Sequence, residues 1–579
     1  MSTFRVWAPA ADVVVLDLQG GQVPMSAGDG GWWEVDVPDA GAGTEYGYRI
    51  DGSDPLPDPR SPSQPDGPHG LSRAVDHGAF PWTDDAWRGT HLPSAVLYEL
   101  HVGTFTPEGT FDAAITRLDH LVDLGITAVA LLPVAEFAGA RGWGYDGVDL
   151  YAPHSAYGGP DGLKRLLDAC HNRGLGVVLD VVYNHLGPEG NHLGRFGPYF
   201  TDFYATPWGQ AVNYDKAGSD EVRRFAIDNA LQWLRDYHVD GLRLDAVHAI
   251  IDTSAVHLLE QLAAEVDELA TCVGRPLWLI GESDLNDPRL IRSREAAGYG
   301  LDAQWSDDFH HTLHTTLTGE RDGYYEDYGE LDQLVTVLRG GWLFSGRWSH
   351  HRERTHGRPL GGLPGWRLLG YLQNHDQVGN RAVGDRISAQ LSPGRCRIGA
   401  ALYLLGPFVP MVFQGEEWGA TSPFQYFTSH TDPELGRAVA AGRRSEFGAF
   451  GWKPDEVPDP QDPATFERSK LDWDELGSDE HAALLRWYTD CIALRRRTPA
   501  LGDGRLDRVG ARCDAAAGTL LVTRGEVTIA ANIGSDAARV DLGPDRPTAV
   551  LLASEPDAGV EGATAVLPAD SVLVIGPPI

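Results

Sequence analysis

Short apolar runs separated by Gly, Pro and Asp fill the first 85 or so residues of the chain. The runs FRVWAP, VVVLDL, WWEVDV and YGYRID are rich in β-branched and aromatic residues, which favour strands. They predict an immunoglobulin-like β-sandwich over residues 1–90. The Pro-rich stretch 54–70 that follows them reads either as a linker or as a loop packed over the next domain.

From residue 95 onward, apolar runs alternate with amphipathic stretches. Eight such runs, each short enough for a buried strand, predict a (β/α)8 TIM barrel over residues 91–500. Six or seven runs would have left an open, doubly wound sheet as an alternative. The runs cover residues 95–105, 126–134, 176–185, 240–247, 276–283, 300–309, 368–376 and 409–417.

The stretches between the runs show helical periodicity. Residues 111–125 place Ile115, Leu118, Leu121 and Val122 on one helical face. Residues 220–238 and 479–501 predict further helices. After the last of them, TLLVTRG, VTIAANI, PTAVLLAS and SVLVIGPP predict strands of a C-terminal β-sandwich over residues 501–579.

Two long irregular segments, residues 186–215 and 340–366, interrupt the predicted barrel. Long loops inside a compact domain are usually functional. We expect residues 196–215 and 340–366 to close a pocket at the barrel mouth. The first of them carries aromatic side chains suited to stacking on a ligand, namely Phe200, Phe203, Tyr204 and Trp208.

Composition and charge narrow the choice of partners. The chain is 42% hydrophobic and 22% charged, which is ordinary for a globular protein, but its formal net charge is −35. Such a surface repels phosphate backbones, so we expect no nucleic-acid partner. No run of about 18 apolar residues occurs, so we expect no membrane partner either.

The five cysteines are widely spaced and form no CxxC pair. The chain start, MSTFRVWAPA, lacks the basic region and long apolar run of a signal peptide. Both features predict reduced thiols in the cytoplasm rather than a disulfide framework or a zinc site. We therefore predict a cytoplasmic protein without a bound metal.

Acidic residues interrupt four of the eight apolar runs near their ends. They are Asp180, Asp245, Glu282 and Asp376. The carboxyl ends of barrel strands converge on one mouth, where the chemistry of such barrels takes place. One such acid could cap the following helix, but four on different strands are better explained by a shared site.

Arg243 lies two residues before Asp245, so both side chains point to the same face of the predicted strand. The sequence does not decide the partner of Arg243, because Asp180 could also form a structural ion pair with this arginine. A nearby cation favours an ionised Asp245, and this suits a nucleophile. Glu282 follows the apolar residues LWLIG, whose desolvation favours the protonated form and suits a general acid.

Paired carboxyl groups of opposite protonation are typical of glycoside hydrolysis. A third acid, Asp376, could hold sugar hydroxyls and favour the transition state. The competing hypothesis is a magnesium site built from three carboxylates. Arg243 beside the carboxylates would oppose a bound cation, so we favour the hydrolase hypothesis.

The segments DVVYNH, GLRLDAVH, GES and NHD, in this order on strands three, four, five and seven, resemble the signature regions of the α-amylase family, glycoside hydrolase family 13. The resemblance implies that Asp245 is the nucleophile, Glu282 the acid/base and Asp376 the transition-state stabiliser. It also implies that the N-terminal sandwich is of a carbohydrate-binding type and that no cofactor is needed. The attacked glucose would be lined by Tyr145, His185, Arg243 and His375, and we add His248, Gln377 and Asn380 from the same segments as substrate contacts.

Four further segments, WGYDGV, GPYFTDFYATPWGQAVNYD, AQWSDDFHHTLH and LQNHDQVGNRA, are similar to one branch of that family. Its members hydrolyse the α-1,4 bond between a maltooligosaccharide and a terminal trehalose. The resemblance implies maltooligosyltrehalose and maltooligosaccharide as ligands and a role in trehalose biosynthesis. It also implies action in sequence with a maltooligosyltrehalose synthase, without a stable complex.

The segment SDDFHH ends the sixth predicted strand and is placed to reach the leaving group. We predict substrate contacts from Asp307, Asp308, Phe309, His310 and His311, against the alternative of a helix start with acidic residues at its N-terminus. Two other functions remain as alternatives. One is a glycogen branching or debranching enzyme, and the other is a non-catalytic glucan-binding protein, which the presence of all three carboxylates disfavours.

Overall fold

Eight parallel strands form a closed barrel in the middle of the chain. The structure is a computed structural model that describes residues 2–207, 209–448, 456–543 and 549–578. The strands follow one another around the barrel in chain order and β8 pairs with β1, which confirms the predicted TIM barrel. They are β1 (Leu97–Leu100), β2 (Ala128–Leu131), β3 (Gly176–Val181), β4 (Gly241–Leu244), β5 (Trp278–Gly281), β6 (Ala303–Trp305), β7 (Leu368–Gly370) and β8 (Val409–Phe413).

The inside of the barrel changes from apolar to charged along its axis. Val178 on β3, Trp278 and Ile280 on β5 belong to one buried apolar cluster that fills the lower layers. Further along, Asp180 on β3 lies directly opposite Arg243 on β4 in the strand register. Because side chains alternate between faces, these charges share the interior face with the apolar residues before them. The barrel interior therefore ends in a polar layer at its mouth.

Helices cover the outside of the barrel with one exception. Between β5 and β6 the only helical element in the described chain is a 3-10 turn, Arg294–Ala296. Two non-glycine residues of this connection, Asn286 and Ala297, have positive φ of 53° and 58°. The longer helices are Gly159–His171, Ser219–Asp236, Leu258–Val273, Asp307–Thr318, Leu331–Gly340, Pro393–Leu404, Pro433–Gly448 and Asp479–Arg497. The shorter ones are Val102–Phe105, Phe111–Ile115, Leu118–Leu124, Leu193–Phe196, His375–Gly379, Pro463–Arg468 and Pro499–Gly502.

The helix predicted over residues 111–125 is broken into two. Phe111–Ile115 and Leu118–Leu124 are separate helices, and Leu118 and Leu121 are buried as the periodicity indicates. Val122, predicted on the same face, is instead exposed. The second helix buries Leu124 in place of Val122.

Two sheets at the N-terminus pack face to face and confirm the predicted sandwich. Phe4 of the first sheet meets Tyr46 of the second at a ring-centroid distance of 4.8 Å. The loop 54–70 packs on the barrel, since Arg60 Nη1 donates to Asp228 Oδ2 at 2.7 Å. The sheets comprise Ser2–Trp7, Trp32–Val37 and Ser26–Ala27, and Gly21–Pro24, Val14–Leu18, Glu45–Ile50 and Ser72–Arg73.

The chain ends in a second pair of sheets, which confirms the C-terminal sandwich. Leu521 and Leu573 of the larger sheet share one buried cluster with Ala565 and Leu567 of the smaller. The larger sheet holds Val509–Asp514, Thr519–Arg524, Val527–Asn532, Ser571–Gly576 and Ala549–Ala553. The smaller holds Ala538–Asp541, Thr564–Leu567 and Gly559–Glu561.

Two buried arginines join the C-terminal part of the chain to the turn before β8. Arg495 donates to the carbonyl oxygens of Leu404, Gly406 and Phe408 at 2.8–2.9 Å. Arg524, on the C-terminal sheet, donates to the carbonyl oxygen of Leu405 at 2.9 Å. Buried carbonyl groups need donors, so the end of the chain completes a turn of the barrel.

The domain borders 90 and 500 stay a prediction. The cysteines Cys170, Cys272, Cys396, Cys491 and Cys513 are all unpaired. In the described ranges, no helix combines the length and the hydropathy needed to cross a membrane.

Candidate active site

A single guanidinium stands at the centre of the barrel mouth. Arg243 Nη1 donates to both carboxylate oxygens of Asp180 at 2.9 and 2.8 Å and to Asp245 Oδ1 at 2.7 Å. Its Nη2 lies 3.5 Å from Glu282 Oε2. The structure therefore contains the ion pair between Asp180 and Arg243, and it brings the predicted nucleophile and the predicted acid to the same cation.

Asp245 is held in place from two sides. Besides Arg243, Asn184 Nδ2 donates to Asp245 Oδ2 at 2.7 Å and to its carbonyl oxygen at 2.9 Å. The next residue, Ala246, has φ of 37°, a left-handed conformation that costs a non-glycine residue about 1–3 kcal/mol. Strain of this kind persists where the surroundings fix the backbone. The carboxylate thus has a donor on each oxygen, which suits an ionised group.

Glu282 is largely removed from solvent, with 17% of its side chain exposed. Burial raises the pKa of its carboxyl to about 8, although the Arg243 charge opposes this, and Asp245 and Asp376 raise it further. Its Oε2 accepts from the backbone N–H of Ala246. At neutral pH the carboxyl is therefore protonated, as a general acid must be.

Tyr145 and His375 extend the polar layer on the other side of Arg243. The Tyr145 hydroxyl donates to Asp180 Oδ2 at 2.7 Å and lies 2.7 Å from His375 Nε2. The two rings stack with centroids 5.2 Å apart. His375 Nε2 also lies 3.6 Å from Asp376 Oδ1. The arrangement aligns an aromatic face and a third carboxylate beside the two central acids.

Glu99 on β1 fixes His375 and was not among the predicted site residues. Its Oε1 lies 2.7 Å from His375 Nδ1, and its Oε2 accepts from the His375 backbone N–H at 2.9 Å. Burial alone would lower the pKa of His375, but the Asp376 and Glu99 carboxylates raise it to about 9. The sequence signal for Glu99 was the presence of an acid inside the apolar run AVLYEL, two residues after Leu97 and on the same strand face.

We expect Glu99→Gln to lower kcat/KM about tenfold to a hundredfold, which corresponds to a lost hydrogen bond to a charged group. The amide keeps one acceptor but removes the negative charge that supports protonated His375. A histidine with a raised pKa is charged below that pKa, so the variant loses the charge at lower pH. The part of the alkaline limb that lies near pH 9 and follows from deprotonation of His375 should move to lower pH.

The matched control is Glu136→Gln, which alters another buried Glu–His pair, that of Glu136 Oε1 and His154 Nδ1 at 3.0 Å. It should change stability but not the position of the limb. Equal pH profiles for the two variants would contradict the role of Glu99.

His185 and His248 flank the nucleophile differently. His185 is buried, with its Nε2 3.0 Å from the Tyr145 carbonyl oxygen and its Nδ1 against Asn184 Oδ1. It lies within the central group. His248 is exposed on the 3-10 turn Val247–Ala249. It therefore lies at the rim of the mouth.

A cleft of about 440 Å³ opens beside the central acids. We call it the outer cleft. Four of the predicted substrate contacts line it, Asp307, His311, Gln377 and Asn380, together with the catalytic candidate Asp376. Burial raises the pKa of Asp307 to about 6, and its Oδ1 accepts from the Tyr371 hydroxyl at 2.6 Å. The remaining lining residues are Asp284, Tyr324, His351, Arg352 and Arg354.

Asp308 is buried and lies outside the lining of the outer cleft, contrary to the predicted substrate contact. Its Oδ1 accepts from the Tyr328 hydroxyl at 2.7 Å. Its Oδ2 accepts from Asn286 Nδ2 at 2.8 Å and from the backbone N–H groups of Leu343 and Phe344 at 2.6 and 2.8 Å. The carboxylate is buried and its oxygens are occupied. It anchors the segment around residue 343.

Phe309 and His310 are also corrected, because both lie beneath the outer cleft. Phe309 is fully buried and packs edge-on against Phe408 at 4.9 Å. His310 is 1% exposed, stacks on Tyr371 and contacts His311 through their Nδ1 atoms at 3.0 Å. These side chains support the helix Asp307–Thr318, whose acidic start agrees with the alternative interpretation of SDDFHH.

The two long loops have different positions. Residues 340–366 form a hairpin, Arg347–Ser349 with Arg354–His356, that contributes to the outer cleft. Residues 196–215 form another hairpin, Phe200–Thr206 with Gly209–Val212, and none of its described residues lines that cleft. Phe203 is exposed, and Trp208 lies outside the described residues.

In the parts of the chain that are described, no three His, Cys, Asp or Glu side chains are arranged to hold a metal ion. The acids at the mouth instead face Arg243. The site thus holds two carboxyl groups beside Arg243, one with donors on both oxygens and one whose pKa is raised by burial. This pair can cleave a glycosidic bond.

Comparisons with known proteins agree with this geometry. Residues 1–63 match the model of carbohydrate-binding module 48 (isoamylase N-terminal domain), and residues 72–207 that of the alpha amylase catalytic domain. Residues 502–574 match a domain of unknown function, DUF3459. The first match confirms the carbohydrate-binding type of the N-terminal sandwich.

Curated relatives with the name malto-oligosyltrehalose trehalohydrolase match most of the chain. The one from Arthrobacter ramosus is 58% identical over 538 residues, which are 92% of this chain and 93% of the relative. The one from Mycobacterium tuberculosis (strain CDC 1551 / Oshkosh) is 53% identical over 543 residues, 93% of each chain. The chain belongs to the malto-oligosyltrehalose trehalohydrolase family. Membership confirms the resemblance of its motifs to the α-amylase family.

A solved structure also matches this member of the trehalohydrolase family from end to end. It is the crystal structure of a putative alpha amylase from Salmonella typhimurium, with a TM-score of 0.91 and 39% sequence identity. The match covers 100% of this chain and 97% of the other. The arrangement of barrel and sandwiches is therefore shared along the whole length.

Proposed function

We propose that this protein is a retaining glycoside hydrolase that cleaves the α-1,4-glucosidic bond between maltooligosaccharide and terminal trehalose in maltooligosyltrehalose. The observation that carries the proposal is the contact of Asp245 and Glu282 with one guanidinium, that of Arg243. Two carboxyl groups of this kind act on one bond. The name of the relatives at 58% and 53% identity supports the choice of substrate.

The reaction takes two steps. Asp245 attacks the anomeric carbon of the glucose before the bond, while Glu282 gives its proton to the departing O4 of trehalose. A glucosyl ester on Asp245 results and trehalose leaves. In the second step Glu282, now ionised, takes a proton from water, whose oxygen displaces Asp245. Two inversions give net retention, and this route requires carboxyl oxygens roughly 5–5.5 Å apart.

The other polar groups support this step. Tyr145 offers its ring to the attacked glucose, and His185, Arg243 and protonated His375 surround the reacting carbon. Asp376 accepts sugar hydroxyl groups and favours the positive charge that develops on the ring. Sites of this kind hold a neutral sugar through hydrogen bonds, so the surface charge of −35 does not oppose binding.

The setting of the reaction is part of the proposal. The five unpaired cysteines support a reducing, cytoplasmic location. Release of trehalose needs a substrate whose chain end has already been converted to trehalose. The protein would therefore act after a maltooligosyltrehalose synthase in trehalose biosynthesis, without a stable complex.

Incubation with maltotriosyltrehalose tests the proposal. We expect maltotriose and free trehalose in equal amounts, with the new reducing end first appearing as the α-anomer in a time-resolved NMR spectrum. New α-1,6 branches or debranched chains without trehalose would indicate the branching or debranching alternative. Binding without products would indicate a non-catalytic glucan-binding protein.

A further inference from the structure

All hydrogen bonds that the central guanidinium makes with the described residues start from one of its nitrogens. Arg243 Nη1 serves both Asp180 and Asp245. The Nε and Nη2 atoms are buried and have no hydrogen-bond partner among the described residues. A bidentate pair would fix the plane of a guanidinium, but contacts at a single nitrogen do not. The orientation of this cation therefore depends on another contact.

The indole ring of Trp305 provides that contact. Arg243 Cζ lies 4.4 Å from the centroid of this ring, compared with 5.9 Å for the ring of Tyr145. A guanidinium over an aromatic face is attracted to it, most strongly to tryptophan and most strongly when the pair is removed from water. Both side chains are buried at the barrel mouth. The attraction is therefore near its upper range here.

The ring of Trp305 is itself fixed by the barrel. Trp305 is the last residue of β6 and lies two residues after Ala303, and both belong to the buried apolar cluster inside the barrel. Tyr371 packs against the indole at a centroid distance of 5.5 Å, and its hydroxyl donates to Asp307. Side chains packed in this way keep one rotamer. The aromatic face is thus in place before any ligand binds.

The orientation of Arg243 matters because the two acids exchange charge during the first step. The bond from an Asp245 oxygen to the anomeric carbon forms, the bond to O4 breaks, and the proton of Glu282 goes to O4. Asp245 thereby loses its negative charge and Glu282 gains one. Arg243 Nη1 is 2.7 Å from Asp245 Oδ1, and Nη2 is 3.5 Å from Glu282 Oε2. A fixed guanidinium can therefore balance one negative charge before and after the step.

We propose that Trp305 is a positioning residue whose ring holds the Arg243 guanidinium with Nη1 towards Asp245 and Nη2 towards Glu282 in both steps of the reaction. The inference deepens the proposed function and rests on its two-step route. Trp305 is 4% exposed and does not line the outer cleft, so it acts through Arg243 rather than on the sugar. Its contribution should therefore appear in kcat and should not depend on the leaving group.

The experiment changes the electron density of the ring while it keeps the shape of the side chain. Tryptophan carrying one, two, three or four fluorine atoms is introduced at position 305 alone by nonsense suppression. Each fluorine withdraws electron density from the ring face and weakens its attraction for a cation. With p-nitrophenyl α-maltotrioside, log kcat should fall linearly with the cation-binding energy of the ring, by about tenfold over the series, while KM changes less than about threefold. With maltotriosyltrehalose, kcat should fall by the same factors.

Two conventional variants test the same contact. Trp305→Phe keeps an aromatic face and should retain kcat to within about tenfold of the wild-type value. Trp305→Met keeps apolar bulk without a ring, and its kcat should fall about thirtyfold or more. A Trp305→Met protein as active as Trp305→Phe would contradict the role of the ring. If either variant does not fold, the fluorinated series decides alone.

The matched control is the same fluorinated series at Trp278, which belongs to the same buried cluster inside the barrel. None of the described cations lies over its ring, so kcat should stay constant along that series. A flat series at position 305, equal slopes at both positions, or a slope with only one of the two substrates would overturn the inference. A wild-type protein that cleaves p-nitrophenyl α-maltotrioside but releases no trehalose would refute the proposed substrate, and the slope at position 305 would still decide the inference. A wild-type protein that cleaves neither compound refutes both.

Discussion

Replacing Asp245 with asparagine should reduce turnover of maltotriosyltrehalose by about 10⁴-fold or more while the protein stays folded. The amide cannot form the glucosyl ester, because its nitrogen and oxygen are poor nucleophiles. The amide oxygen of the variant can still accept from Arg243, whose bond to Asp245 measures 2.7 Å in the wild-type protein. The free energy of unfolding should therefore change by only about 1 kcal/mol.

A second variant identifies the attacked position. Asp245→Gly leaves space on the face of the sugar where the carboxylate attacks, and azide can enter it. With p-nitrophenyl α-maltotrioside, azide should restore product formation and give a β-configured glycosyl azide. An unchanged rate in Asp245→Asn, or an α-configured azide product, would show that another group attacks.

The loss of activity on replacing Glu282 with glutamine should depend on the leaving group. On maltotriosyltrehalose, kcat/KM should fall by about 10²–10⁴-fold, because sugar O4 needs the proton. On p-nitrophenyl α-maltotrioside the first step should be much less affected, since p-nitrophenolate departs without a proton. Measuring both substrates with the same preparation separates loss of the acid from loss of the fold.

The pH profile provides an independent test of Glu282. Its pKa is raised to about 8 by burial, so the acid form is present below that pH and is lost as the pH rises through it. The wild-type kcat/KM for maltotriosyltrehalose should fall in this range. For Glu282→Gln with the activated substrate, the loss near pH 8 should disappear, and only the loss near pH 9 that follows from deprotonation of His375 should remain. Both losses should remain in the control Glu136→Gln. Equal losses on both substrates would contradict the role of Glu282 as the acid.

The barrel and its central acids could be predicted because their signals are local. Each strand is a short apolar run, and each acid interrupts such a run near its end, as Asp180 and Glu282 do. Polar side chains there must be satisfied by one another, since the strands converge. Arg243 lies two residues before Asp245 and on the same strand face, so the sequence already indicated a cation among these acids.

The partners of these groups come from distant parts of the chain and left weaker signals. Glu99 is 276 residues from His375, and Arg352 is 68 residues from Asp284. Such pairs depend on the closure of the barrel and on the course of a loop. Nothing in the local pattern around residue 352 distinguishes that arginine from the neighbouring Arg354.

Helical periodicity could have separated the cleft-lining residues of the segment SDDFHH from its buried residues. Asp307 and His311 are four residues apart and share one helical face, which lines the outer cleft. Asp308 and Phe309 point away from that face and are buried. All five residues were predicted to contact substrate because the segment was read as a strand end. The helix begins at Asp307, so the period of 3.6 applies from there.

The two arginines that reach the turn before β8 join the end of the chain, from the helix Asp479–Arg497 onward, to the barrel. Arg524 also donates to the carbonyl oxygens of Leu501 and Asp503, so two separate stretches of backbone, at residue 405 and at residues 501–503, depend on this one side chain. A chimera that exchanges the terminal region for that of a distant relative must carry a matching guanidinium. Otherwise carbonyl groups next to the final barrel strand have no donors. A chimera whose junction lies at the edge of the sandwich would separate Arg524 from the carbonyl groups that it contacts.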